Sequence, residues 1–393
     1  MRFRHVVVLI GLLTATMAAA TPGLAGSRWP VPGHDAGATN YNGGELRMTA
    51  DRVLIAQERR VVFAGRTFVV PPLVADGSLF VAAARPDSYP RIVRSTLRGE
   101  PIWASELLCD AAPVSVGRIV QYFSYDCADS PAPVVTVDGH DFRDELWRSY
   151  IVYPRTATGG TYGYTYSFDD ESERVLDDLV AFDAVTGREL WRQPRPDDEG
   201  DGWWGPPLVA AGRLYVRISG SIAAFDASTG AALWAVEPRS DQVITPVTAR
   251  EGVLYYVAHT PNFEAVRIRA VGPDGAQLWS TRLPSSYGDN MVNGGIAVGA
   301  GTLVATGTHR VTGLDPATGE TRWSHRLDAF FPRSAAVVGA AGVFYLTDAL
   351  NERIVAVRAT DGSEIRDFPG LRSVIVAAGR IYATGDGGLH IYG

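Results

Sequence analysis

Apolar residues in this chain fall into short β-rich runs separated by glycine-centred turns. Residues 207–216 (PLVAAGRLYV) are two such runs around one glycine. The same shape recurs at 72–81, 113–122, 246–257, 295–305, 335–346 and 374–383. The flanking residues are Val, Ile, Leu and Tyr, which suit a pleated, half-buried surface. A third run holds an Ala-Phe-Asp segment, as at 181–183, and a fourth follows at or just after a tryptophan, as at Trp191. Each unit therefore predicts four short strands.

The unit repeats. Residues 181–191 (AFDAVTGRELW) are followed by 224–234 (AFDASTGAALW) and 313–323 (GLDPATGETRW), with a shortened copy at 271–279 (VGPDGAQLW). Weaker copies end at Trp103 and Trp147, and the last copy, 356–366, has Arg366 in the tryptophan position. Successive endings at 103, 147, 191, 234, 279, 323 and 366 lie 43 to 45 residues apart. Four short strands in about 44 residues is the period of a propeller blade.

The motif has a mechanical reading. Asp183, Asp226 and Asp315 open a turn in which a short carboxylate accepts backbone N–H bonds. Gly187, Gly230, Gly275 and Gly319 supply a positive φ there. Trp191, Trp234, Trp279 and Trp323 each lie four residues beyond the glycine, where a large ring with one N–H donor can plug the gap between blades.

Seven endings leave one blade to close. Residues 372–392 supply about three strands, and the segment 53–63 can add the fourth from the other end of the chain. Pairing both ends would remove exposed sheet edges. The expected fold is all-β: an eight-bladed β-propeller of four-stranded antiparallel blades, closed by N- and C-terminal strands. Seven blades is the alternative, because the second and third copies are degenerate and interrupted. The expected organisation is a secretory signal peptide over 1–25, an N-terminal lead-in over 26–50, and one propeller domain over 51–393.

The leader reading rests on Arg2 and Arg4, an apolar run of about twelve residues from 6 to 17, and small residues at Ala18, Ala20, Gly23 and Ala25. Elsewhere no apolar stretch is long enough to span a bilayer, so the exported protein should carry no transmembrane span. Export makes the cysteines informative. Cys109 and Cys127 are the only two, and an even count in an oxidising compartment predicts one disulfide. It would close a loop of ~18 residues and contribute roughly 3 kcal/mol by chain entropy. Two separate buried thiols is the other reading.

Composition narrows the chemistry. The formal net charge is −7 with no basic run, which argues against nucleic acid. All 36 basic residues are arginine, so chemistry that needs a lysine is excluded. The seven histidines (5, 34, 140, 259, 309, 325 and 390) show no zinc spacing, and no G-x-S-x-G elbow is present. Acidic stretches at 168–173 and 196–201 read as solvated loops. The second leads into Trp203 and Trp204, a candidate partner-binding or sugar-binding loop. Tyr162, Tyr164 and Tyr166 alternate, and packing on a neighbouring blade is the preferred reading for that face.

The A-x-D-x-x-T-G-x-x-x-W pattern at 181–191 and 224–234 resembles the tryptophan-docking repeat of the pyrroloquinoline-quinone-like (PQQ-like) β-propeller family. Residues 29–42 (WPVPGHDAGATNYN) are similar to the motif that precedes the first blade in that family. The family includes quinoprotein dehydrogenases and non-catalytic BamB-like assembly factors. For a dehydrogenase, the resemblance implies a quinone on the propeller axis, between an aromatic ring and a disulfide ring of adjacent cysteines. It also implies calcium held by carboxylate and amide oxygens, and an aspartate base. Cys109 and Cys127 are not adjacent, and no Glu, Asn and Asp set aligns with the calcium ligands. The leading expectation is therefore a secreted, non-catalytic, monomeric scaffold that binds protein or cell-envelope material, without a cofactor. A PQQ- and calcium-dependent dehydrogenase is the alternative, and a carbohydrate-binding module a weaker one.

Overall fold

The computed structural model describes residues 34–393 apart from 36–37, 39, 69, 106–109, 116–118, 126–133, 139–140, 142–143, 150, 157–161, 170–173, 195–206, 219–220, 238–242, 261–265, 284–294, 308, 328–336 and 349. Eight antiparallel sheets follow one another along the chain and form an eight-bladed β-propeller. Blade 4 shows the plan. Its strands run Leu208–Ala210, Arg213–Ile218, Ser221–Asp226 and Ala232–Val236, each paired with the next. We call these positions a to d, from the axis outward.

Closure comes from both chain ends. Blade 8 takes Leu371–Ala377, Arg380–Gly385 and Gly388–Tyr392 from the C-terminus and Glu58–Val62 from the N-terminus. The joining register sets Val61 opposite His390 and Val62 opposite Leu389. The expected outer strand over 53–63 is shorter than anticipated. Residues Ala50–Ile55 form a helix instead, with Asp51 in its first turn and Val53 fully buried. The helix packs on the outer strand of blade 7, Glu364–Pro369, where burying one side chain suits a helical turn better than an edge strand.

The a–b hairpins are tight. At Ala211-Gly212 the φ angles are 48° and 74°, and Ala300-Gly301 has 48° and 68°. Two successive positive φ values mark a two-residue hairpin whose twist matches that of its strands. The core is divided between neighbouring blades. One cluster joins Tyr215 and Ile222 of blade 4 to Leu254 and Tyr256 of blade 5, and another joins Val304 of blade 6 to Phe344 and Val355 of blade 7. Burial thus couples each blade to the next. Among the described residues no helix is long and apolar enough to cross a membrane.

Candidate functional site

Two places concentrate the residues singled out by sequence: the c–d turns between blades, and the axis. In each full c–d turn the aspartate organises the backbone. Asp226 Oδ1 accepts from Ser228 N and Thr229 N, both at 2.9 Å, and from Ser228 Oγ at 2.6 Å. Asp183 Oδ1 accepts from Val185 N and Thr186 N at 3.0 and 2.8 Å, and Asp315 Oδ1 from Ala317 N and Thr318 N at 2.8 and 3.1 Å. These bonds favour the ionised carboxylate. Asp226 is held down to about 2, chiefly by the Ser228 side chain and then by Thr229. Asp183 is lowered chiefly by the Thr186 backbone, and Asp315 by the Arg322 guanidinium at 2.6 Å.

The tryptophan of each blade meets the turn of the next. Trp147 Nε1 donates to Ala184 O at 3.1 Å, Trp191 to Ala227 O at 3.2 Å and Trp234 to Pro273 O at 3.0 Å. Trp279 donates to Pro316 O and Trp323 to Ala359 O, both at 3.0 Å. The turn glycine lies under the ring. At Gly230, with φ +75°, an added Cβ would stand 2.7 Å from the Trp191 ring, and at Gly275 it would stand 2.8 Å from the Trp234 ring. Gly187 and Gly319 meet Trp147 and Trp279 in the same way. Trp103 packs edge-on against Phe80 at 6.1 Å.

Arg366 stands in the tryptophan position of blade 7 for a structural reason. The blade it faces has no c–d turn, because the two chain ends lie there. Its guanidinium instead donates to Ala56 O and lies 4.8 Å from the Phe368 ring. At the other side of the seam Val62 fills the tryptophan position, against Gly99 of blade 1.

The axis holds residues whose role the sequence did not reveal. Strand Tyr41–Asn42 adds in parallel to strand a of blade 7. The Tyr41 ring covers Gly299 of blade 6 and Gly339 of blade 7, and its hydroxyl accepts from Gly342 N at 3.0 Å. Asn40 Nδ2 donates to Ile296 O of blade 6 at 2.9 Å, and Asn42 Nδ2 donates to Val376 O of blade 8 at 2.8 Å. Asn42 and Glu45 are 0% and 1% exposed, and Glu45 Oε2 accepts from Gly379 N at 2.6 Å. Ala38 packs with the blade 4 and blade 5 cluster. The lead-in therefore passes from blades 4 and 5 to blade 8 along the inner strands. The likeness of residues 29–42 to the family's lead-in marked the segment, but not these contacts, because the partners lie up to 334 residues away.

A quinone and calcium centre can be tested against these groups. The inner strands carry Leu73, Val74, Ala297, Val298, Val338 and Val376, all buried and apolar. Among the described residues no three His, Cys, Asp or Glu side chains converge as metal ligands. The Tyr345 hydroxyl is buried beside Glu45 and has no hydrogen-bond partner; burial and then Glu45 push its pKa up. One hydroxyl and one carboxylate already bound to backbone do not make the implied donor set. The described part of the axis does not fit the cofactor. Cys109, Cys127, Trp203 and Trp204 lie outside the described residues, as does the leader over 1–25. Tyr164, from the alternating tyrosines, does reach across: its hydroxyl donates to Ala227 O of blade 4 at 3.0 Å.

A family profile for the outer membrane protein assembly factor BamB matches residues 176–272 and 264–367. No curated protein matches the chain. Among solved structures, quinohemoprotein alcohol dehydrogenase from Comamonas testosteroni is 15% identical, with a TM-score of 0.62 over 93% of this chain and 80% of that one. BamB from Moraxella catarrhalis is 14% identical, with a TM-score of 0.56 over 86% of this chain and 98% of that one. Quinohemoprotein alcohol dehydrogenase ADHIIG from Pseudomonas putida HK5 is 13% identical, with a TM-score of 0.59 over 92% and 76%. At these identities the likeness is one of fold.

Proposed function

Because the chain belongs to the PQQ-like β-propeller repeat family, we propose that it is an exported, non-catalytic propeller that binds protein or cell-envelope material. The observation that carries this reading is the lead-in bound along the inner strands of blades 6 to 8. Tyr41, Asn42 and Glu45 occupy the inner ring, and their polar groups are spent on backbone partners of blades 7 and 8. We assign recognition to the rim. On this reading residues 1–25 are removed on export, 26–50 form the lead-in and 51–393 act as one domain. Cys109 and Cys127 pair, and the 195–206 loop presents Trp203 and Trp204 to the partner. The description of the matching family profile, an outer membrane protein assembly factor, supports an envelope role.

The test is an affinity capture on immobilised mature protein, using solubilised native envelope. The expected result is a component that rebinds after purification and loses at least tenfold in affinity to a Trp203→Ala/Trp204→Ala variant. An envelope that yields nothing able to rebind contradicts the reading.

A further inference from the structure

Three arginines meet at one corner of the ring, and among the described residues none of them pairs with a carboxylate. Strand Thr67–Phe68 pairs with strand b of blade 1, Ser78–Ala84, setting Thr67 opposite Ala84 and Phe68 opposite Ala83. On its other side, Ala83 faces Arg91 of strand c. One step beyond the first ladder, Arg66 comes opposite Arg85. Side chains two apart on a strand share a face, so Arg66, Arg85 and Arg91 project to the same side. That corner adjoins blade 8, since Gly65 N donates to Gly387 O at 3.2 Å.

Arg85 and Arg91 are exposed and Arg66 is half-buried. Among the described residues none of the three makes an ion pair, whereas Arg372, nearby on blade 8, pairs with both Glu352 and Asp386 at 3.0 and 2.8 Å. Among the described residues the only polar contact of the trio's side chains is Arg91 Nη1 to Ser105 O at 3.2 Å. Like charges placed directly opposite on a sheet destabilise it. Burial, and then Arg85 and Arg91, depress the pKa of Arg66. The connecting loop, 85–91 (RPDSYPR), is stiffened by Pro86 and Pro90 and exposes Tyr89 at 52%. Asp87 is the one acid in that loop, and it makes no ion pair with the arginines.

We propose that Arg66, Arg85 and Arg91 form a binding site for a phosphate-type oxyanion. Planar guanidinium forks offer paired N–H donors to such oxygens, and three of them converging fix its position. The bound anion would offset the repulsion that the chain otherwise retains there. This proposal uses no residue of the 195–206 loop and stands or falls independently of the scaffold reading. A free phosphate and the headgroup of an anionic lipid present the same chemistry.

The test uses the intact mature protein and an Arg85→Gln/Arg91→Gln variant. Two probes are titrated: inorganic phosphate by calorimetry, and phosphatidylglycerol vesicles by co-sedimentation, with phosphatidylcholine vesicles as the neutral control. The expected result is saturable binding to at least one anionic probe, weakened tenfold or more in the variant. Phosphate binding alone identifies a free anion as the source. Vesicle binding that salt and phosphate displace identifies a lipid surface. The variant should also melt no lower than the wild type without ligand, because the substitution removes repulsion. Binding of neither probe, or binding unchanged in a folded variant, overturns the proposal.

Discussion

The interblade contacts turn on single residues. Trp323 is 7% exposed, stacks beside His325 at 5.8 Å and donates to Ala359 O. Trp323→Ala should cost about 3–5 kcal/mol, as for large aromatic truncations in cores. Trp191 is only half-buried and should cost less, about 2–3 kcal/mol. Urea unfolding of both variants checks this, and a loss below about 1 kcal/mol at Trp323 would remove its docking role. The aspartate turns predict a pH dependence. The folded pKa of Asp226 lies at about 2, below its ordinary value of 3.8. Its contribution is therefore present above the unfolded pKa and lost as pH falls through about 2. Melting temperature should drop from pH 4 toward pH 2, and Asp226→Asn should flatten part of that slope. An unchanged slope in the variant would show that the carboxylate does not carry it.

At the scale of strands and turns, most of the plan was legible. The Asp-x-x-x-Gly-x-x-x-Trp spacing marked three blades and the tryptophan period three more, because turn chemistry and interblade packing act through residues close in sequence. The first hairpin of blade 3, Ile151–Thr156 with Tyr162–Asp169, was harder to read, since its strands are joined by a longer segment than the two-residue turns, each ending in glycine, of blades 4 to 8. The helix Ala50–Ile55 was hidden because Val53, Leu54 and Ile55 suit a strand equally well. The axial contacts of Asn40 to Glu45 were not legible, because nothing local distinguishes an asparagine that bonds a carbonyl 334 residues away. The arginine corner needed the sheet register, which sequence alone does not supply. The hairpins also offer a prediction. Ala211 is exposed and sits at φ 48°, a region that disfavours Cβ residues other than Asn and Asp. Ala211→Asn should stabilise the protein by about 0.5–1 kcal/mol, read by denaturant midpoint. A loss of stability would mean that the Ala211 methyl makes contacts worth more than the strain.

The whole molecule is a ring whose two ends pair in blade 8 and whose inner strands are bridged by the lead-in. Closure explains why the eighth blade lacks the repeat motif. Its c–d junction is made by residues near both ends, with Arg59 Nε donating to Gly393 O at 2.6 Å and Arg366 reaching Ala56 O. The same route of the lead-in makes the central claim testable, since Tyr41 and Glu45 take inner-ring space and backbone donors. Calorimetric titration of the purified mature protein with pyrroloquinoline quinone and calcium is the most direct measurement. A lead-in that occupies the inner strands in this way predicts no saturable heat under conditions in which a known quinoprotein responds. Saturable binding near micromolar would contradict it and turn the search to alcohols and sugars as electron donors.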